Sequence, residues 1–150
     1  MRIAFEHPDQ PAVHALIAEL DAYLYALYPP ENVYALDMSS LCRPDVLFAV
    51  ARDRTGMATG CGAIVLKPEY AEIKRVYVRP QARGQGVARL LMHSLEAKAM
   101  QDGCRMLKLE TGPTQPEALA LYTRLGYRAC GPFGDYREDP LSVFMQKALG

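Results

Sequence analysis

Val76-Tyr77-Val78-Arg79-Pro80-Gln81-Ala82-Arg83-Gly84-Gln85-Gly86-Val87-Ala88 is the stretch on which the reading of this chain turns. Val76 to Val78 end a run of β-favouring residues, Ala71–Val78, in which Ile73 also belongs. From Val87 onward, Leu90, Leu91, Leu95 and Ala99 recur on one helical face, and Gly103 closes that helix. Two glycines and a cluster of arginines therefore lie between a strand and a helix N-terminus. Such an end leaves about four backbone N–H groups unpaired, and the helix dipole favours an anion there. Gly84 and Gly86 take away the side chains that would hold a phosphate off those groups, while Arg79, Arg83 and Arg89 add charge. The stretch reads as a phosphate-binding loop.

Working outward, Arg2–Glu6 reads as a first strand. From Pro11, Val13, Leu16, Ile17, Leu20, Leu24 and Leu27 recur at helical spacing until Pro29-Pro30 ends the pattern. Tyr34–Leu41 reads as a second short helix. Val46–Arg52 and Ala58–Leu66 are strands joined by Asp53-Arg54-Thr55-Gly56, and Lys67-Pro68-Glu69 turns into the third, Ala71–Val78. Beyond the long helix come a strand at Met106–Thr111 and a helix from Pro116 through Leu125. Tyr127–Cys130 and Ser142–Gln146 are the last strands. The expected order is β-α-α-β-β-β-α-β-α-β-β: a single α/β domain over residues 1–150, with a mixed, mostly antiparallel sheet flanked by helices.

Composition narrows the function classes. Half of the 150 residues are hydrophobic and 23% are charged, ordinary values for a globular domain, and the formal net charge is zero. No global basic excess suits a nucleic-acid partner. Charge is nonetheless uneven: residues 67–108 carry nine basic and four acidic side chains, so positive potential gathers around the glycine loop. Leu47–Ala51 is too short to span a membrane, and Met1–Pro8, broken by Glu6 and Pro8, does not read as a signal peptide. Cys42, Cys61, Cys104 and Cys130 form no C-x-x-C, and His7, His14 and His93 lack ligand spacing. Reduced thiols, no metal and a cytoplasmic location are expected.

The loop is no Walker loop, because no Gly-Lys-Ser/Thr follows. It does imitate a nicotinamide-dinucleotide fingerprint: Gly84-x-Gly86, a helix, then a strand ending in Glu110. Against that oxidoreductase reading, Arg89 stands where the third glycine belongs, and too few residues follow Glu110 for a second half.

Gln81-x-x-Gly84-x-Gly86 after Val76-Tyr77-Val78 resembles the acyl-CoA signature of the GCN5-related N-acetyltransferases. Ala118-Leu119-x-Leu121-Tyr122-x-x-Leu125-Gly126-Tyr127 is similar to that family's second cofactor motif. Leu109–Gly112 with Phe133–Tyr136 resembles a bacterial branch of it. The resemblance implies transfer of an acetyl group from acetyl-CoA to a primary amine by direct attack. It also implies that the pantetheine arm bonds the backbone around Val76, Tyr77 and Val78, which polarises the thioester carbonyl. The N–H groups of Arg83, Gly84, Gln85, Gly86, Val87 and Ala88 would hold the pyrophosphate, with the Arg83 side chain as partner and Arg89 beside it. Tyr122 would donate a proton to the departing thiolate. Gln115 stands where many relatives have a cofactor-binding asparagine.

Glu72, with the same strand parity as Lys74, Val76 and Val78, is the first candidate for general base, and Glu110 is the second. The acceptor, a small amine or a peptide or protein amine, would meet Tyr23, Tyr25, Tyr28, Tyr34, Asp37, Phe133, Asp135 and Tyr136. A homodimer is expected because relatives often pair. A catalytically silent acyl-CoA-binding module is the remaining alternative.

Overall fold

The computed structural model describes all 150 residues. Seven strands form one sheet in the order β1-β2-β3-β4-β5-β7-β6, where β1 is Arg2–Phe5, β2 Val46–Arg52, β3 Ala58–Leu66, β4 Ala71–Val78, β5 Met106–Thr111, β6 Arg128–Cys130 and β7 Val143–Ala148. Every neighbouring pair is antiparallel except β4 and β5. A dinucleotide fold requires a parallel sheet, so this topology removes the nicotinamide reading.

Helices cover both faces. On one lies α1 (Pro11–Leu27), which buries Val13, Leu16, Ile17 and Leu20 against Phe48, Val50, Cys61, Ala63 and Tyr77. On the other lies α3 (Val87–Gln101), whose Leu91, Met92, Leu95 and Ala99 are fully enclosed with Ile64, Ile73, Leu107 and Leu109. Each such leucine contributes about 1.5–3 kcal/mol by leaving water. The last helix, α4, runs from Pro116 to Arg124.

The expected helix over Tyr34–Leu41 shrinks to one turn, α2 (Met38–Leu41). The Asp37 carboxylate accepts the Ser40 N–H at 2.8 Å and so starts the helix late. Upstream, the Leu36 carbonyl accepts two N–H groups of Arg75 at 3.2 and 3.0 Å, which holds Leu36 in contact with β4.

Arg75 decides the local geometry of β4. Cys61 faces Tyr77 while Ala63 faces Lys74, so two residues of β4, Arg75 and Val76, oppose Gly62 alone. This is a β-bulge, and Arg75 takes φ +60° within it. A left-handed conformation costs a non-glycine residue about 1–2 kcal/mol. The guanidinium offsets that cost: it is buried, bonded to Leu36 and paired with Asp21 at 2.6 Å. The extra residue reverses the alternation. Ala71 and Ile73 face α3 before the bulge, and Val76 and Val78 face it afterwards, while Tyr77 turns to α1. Glu72 and Val76 therefore do not share a face as their spacing suggests.

Removing the Arg75 side chain leaves the strained backbone and Asp21 without compensation. Arg75→Ala should lower unfolding free energy by about 2 kcal/mol in urea denaturation, whereas Arg54→Ala on an exposed turn should change it by less than about 0.5 kcal/mol.

Candidate active site

Parallel pairing of β4 with β5 stops at Ile73 opposite Leu109. Beyond that point β4 runs on through Val78 without its neighbour, and the sheet opens. Two cavities fill the opening. The larger, about 810 Å³, is a cleft between the end of β4, the glycine loop, α3 and α4. The smaller, about 130 Å³, lies between α1, the Asn32–Ala35 segment, β4, β5 and Tyr136. Val76, Ala118 and Tyr122 border both.

The cleft has the form of an anion site. Gly84 and Gly86 take φ +79° and +78°, and a Cβ added at either would meet no atom within 4 Å. Arg83 N–H donates to Pro80, and the next N–H to find a partner is that of Leu90, which donates to Gly86 at 3.0 Å. The N–H groups of Gly84 through Arg89 are thus free at the N-terminus of α3, where the dipole favours negative charge. The side chains of Arg83, Arg89, His93 and Arg124 line the same space.

Arg83 is held in place by its surroundings. Its Nε donates to the Val78 carbonyl at 3.0 Å, and its guanidinium stacks between the rings of Tyr23 and Tyr77, 5.9 and 5.8 Å from their centroids. The Tyr77 hydroxyl donates to Glu19 at 3.2 Å. Gln85 is exposed and stands outside the cleft lining. Gln115 lies on the other side, where its side-chain carbonyl accepts the Tyr28 hydroxyl at 3.1 Å beside the smaller cavity.

Tyr122 is buried between the cavities and stacks edge-on against Tyr127 at 5.9 Å. Burial alone pushes its pKa up to about 12, so the hydroxyl keeps its proton at neutral pH.

Both candidate carboxylates line the smaller cavity, but in different states. Glu72 accepts the Tyr136 hydroxyl at 2.6 Å and lies 3.4 Å from Lys74 Nζ, which also donates to Tyr136 at 2.8 Å. Burial and the Glu72 charge hold the Tyr136 phenol well above its usual range. Glu110 has no such partners. Burial raises its pKa to about 7, with Glu72 and Asp139 adding to the rise and the Ser142 hydroxyl and Lys74 opposing it.

Of the aromatic and acidic residues expected at the acceptor site, Tyr28, Tyr34 and Tyr136 line the cavity. Tyr23 and Tyr25 are on the exposed side of α1, and Asp135 is exposed. Asp37 caps α2, and Phe133 packs beneath Tyr136 at 5.1 Å. Sequence reasoning missed His93, Glu117 and Arg124 in the cleft. Helical spacing carried the signal for one of them: His93 stands one turn beyond Arg89.

The fold and cleft agree with what known proteins show. The model of the Acetyltransferase (GNAT) family matches residues 13–127. An IAA acetyltransferase of Azospirillum brasilense is 48% identical over 98% of this chain and 97% of its own length. The uncharacterized N-acetyltransferase YsnE of Bacillus subtilis is 37% identical over 81% of this chain and 82% of its own. A crystal structure from Klebsiella pneumoniae, provisionally named an acyl-CoA N-acyltransferase, superposes with a TM-score of 0.85 at 43% identity, covering 99% of this chain and 97% of that one. An aminoglycoside 6′-N-acetyltransferase complexed with coenzyme A shares the fold at 17% identity, with a TM-score of 0.73 over 99% and 97% of the two chains. With its free N–H groups beside an opened sheet, the chain belongs to the acetyltransferase (GNAT) family and is an acyl-CoA-dependent N-acetyltransferase.

Proposed function

We propose that the larger cleft holds acetyl-CoA, that the smaller cavity holds a primary amine, and that the two meet for transfer at Val76, Ala118 and Tyr122. That junction is the observation that carries the reading. Acetyl-CoA supplies an acetyl thioester when bound. The N–H groups of Gly84 to Arg89 hold the pyrophosphate, with the charges of Arg83 and Arg89 beside them. The backbone of Val76, Tyr77 and Val78, freed from β5, offers edge bonds to the pantetheine arm. Of these, the Val78 carbonyl already accepts from Arg83. Polarising a carbonyl by backbone N–H is oxyanion-type stabilisation. Gln115 bonds Tyr28, so we assign it to the wall of the amine site rather than to the cofactor.

An ammonium must lose a proton before it can attack. Glu110 is the base that fits, because its carboxyl titrates near neutrality and no strong partner occupies it. Glu72 is engaged by Tyr136 and Lys74 and is proposed to orient them. Tyr122 returns a proton to the departing thiolate. The reading needs no metal, in keeping with the scattered histidines and cysteines. It fits a reducing, cytoplasmic setting, since all four cysteines are free thiols.

Tyr122→Phe should cut kcat roughly 100-fold while acetyl-CoA affinity stays within about threefold, in CoA-release kinetics and calorimetry. Equal turnover of variant and wild type would remove Tyr122 from the mechanism.

Glu110 makes a second, signed prediction. In the unfolded chain its carboxyl ionises near its ordinary value of 4.5, and in the fold at about 7. Its contribution to stability is therefore complete below the lower value and is lost as pH rises through the upper one. Activity follows the opposite course, since the base must be ionised, and kcat/KM should rise with pH to a plateau above about 7. Glu110→Gln should abolish that limb, lower kcat/KM and raise stability at pH 8 by about 1–3 kcal/mol relative to wild type, with little change at pH 4. A variant that kept the limb would assign the base elsewhere.

A further inference from the structure

The charges around the smaller cavity are paired off with one exception. Arg75 is neutralised by Asp21 at 2.6 Å and spends its other N–H groups on Leu36. Lys74 and Glu72 neutralise each other at 3.4 Å, and both are tied to the Tyr136 hydroxyl. Asp139, behind the wall, accepts the Leu141 N–H at 2.8 Å and is not part of the lining. Glu110 is the only lining carboxylate without a cation at ion-pair distance. Most of the remaining wall is apolar or aromatic, with Leu20 and Leu24 of α1, Val33, Tyr34 and Leu141, and its other polar side chains, Asn32, Thr111 and Gln115, carry no charge. The space is small, about 130 Å³ against about 810 Å³ for the neighbouring cleft.

One uncompensated carboxylate in a cavity whose other charges are cancelled accommodates one positive charge. Resting on the acetyl-transfer reading, we propose that the acceptor is a compact primary monoamine with an uncharged, apolar body, selected over diamines and over amines that carry a carboxylate. A second ammonium finds no free carboxylate and lies near Lys74. A carboxylate finds both cations already paired and lies near Glu72 and Glu110. Either case buries a charge without a partner. Glu72 thereby sets specificity as well as orientation, because it cancels the one cation of the wall that a substrate carboxylate could use.

The test compares matched amines with purified protein and acetyl-CoA, following CoA-thiol release. 2-Phenylethylamine should exceed phenylalanine in kcat/KM by roughly tenfold or more, with phenylalaninamide recovering much of the difference, and butylamine should exceed 1,4-diaminobutane similarly. In Glu72→Gln, which frees Lys74, the advantage of 2-phenylethylamine over phenylalanine should shrink about tenfold. Equal or better use of the doubly charged amines by wild type, or an unchanged ratio in a folded Glu72→Gln, would overturn the monoamine assignment and leave acetyl transfer standing. Failure to acetylate any amine, while acetyl-CoA still raises Tm, would overturn both.

Discussion

The ion pair between Arg75 and Asp21 secures the bulge on which the facing of β4, and with it the site, depends. A left-handed arginine in mid-strand is unfavourable by itself, and the chain tolerates it because the guanidinium is buried against α1 and Leu36. The bulge reverses the facing of β4 just past the point where β4 stops pairing with β5. Val76 and Val78 come to stand on the α3 side, next to the free N–H groups of the glycine loop. The same arginine draws the segment before α2 onto the opposite face, where that segment becomes a wall of the smaller cavity. One side chain thus shapes both halves of the site.

The two halves differ in electrostatic character, and the difference suits their occupants. On the cofactor side, unpaired backbone donors and several cationic side chains face a wide cleft, as a polyphosphate requires. On the acceptor side, charges are cancelled in pairs and hydrophobic residues predominate. Burial there pushes acids toward neutrality: it keeps Tyr122 protonated and leaves Glu110 poised near physiological pH. The Tyr28–Gln115 bond and the contact of Tyr28 with Gly112 close the end where α1 meets the start of α4.

Much of this was legible in the sequence because it rests on local patterns. The order and kind of all eleven strands and α-helices follow from periodicity, and the glycine loop declares itself by Gly84, Gly86 and three arginines ahead of an apolar helix. What escaped depends on contacts between distant residues. No spacing rule places a bulge at Arg75, because its cause is Asp21, over fifty positions away, so the parity of Glu72 with Val76 was misjudged. The motif position of Gln115 points to the cofactor, and its bond with Tyr28 at the end of α1 lies beyond any spacing rule. The two carboxylates could not be ranked without knowing that Tyr136 reaches Glu72 and that nothing equivalent reaches Glu110. The one-turn length of α2 was hidden for the same reason: Leu36 is claimed by Arg75.

The break between β4 and β5 and the start of α3 together leave backbone groups of Val76 to Val78 and of Gly84 to Arg89 open to one ligand. Amide hydrogen exchange with and without acetyl-CoA tests this most directly, because it reads those N–H groups themselves. Bound acetyl-CoA should slow exchange in two separate peptides, one spanning Gly84 to Arg89 and one spanning Val76 to Val78, with little change across β1 and β2. Protection confined to other segments, or none at the glycine loop under saturating acetyl-CoA, would contradict the account.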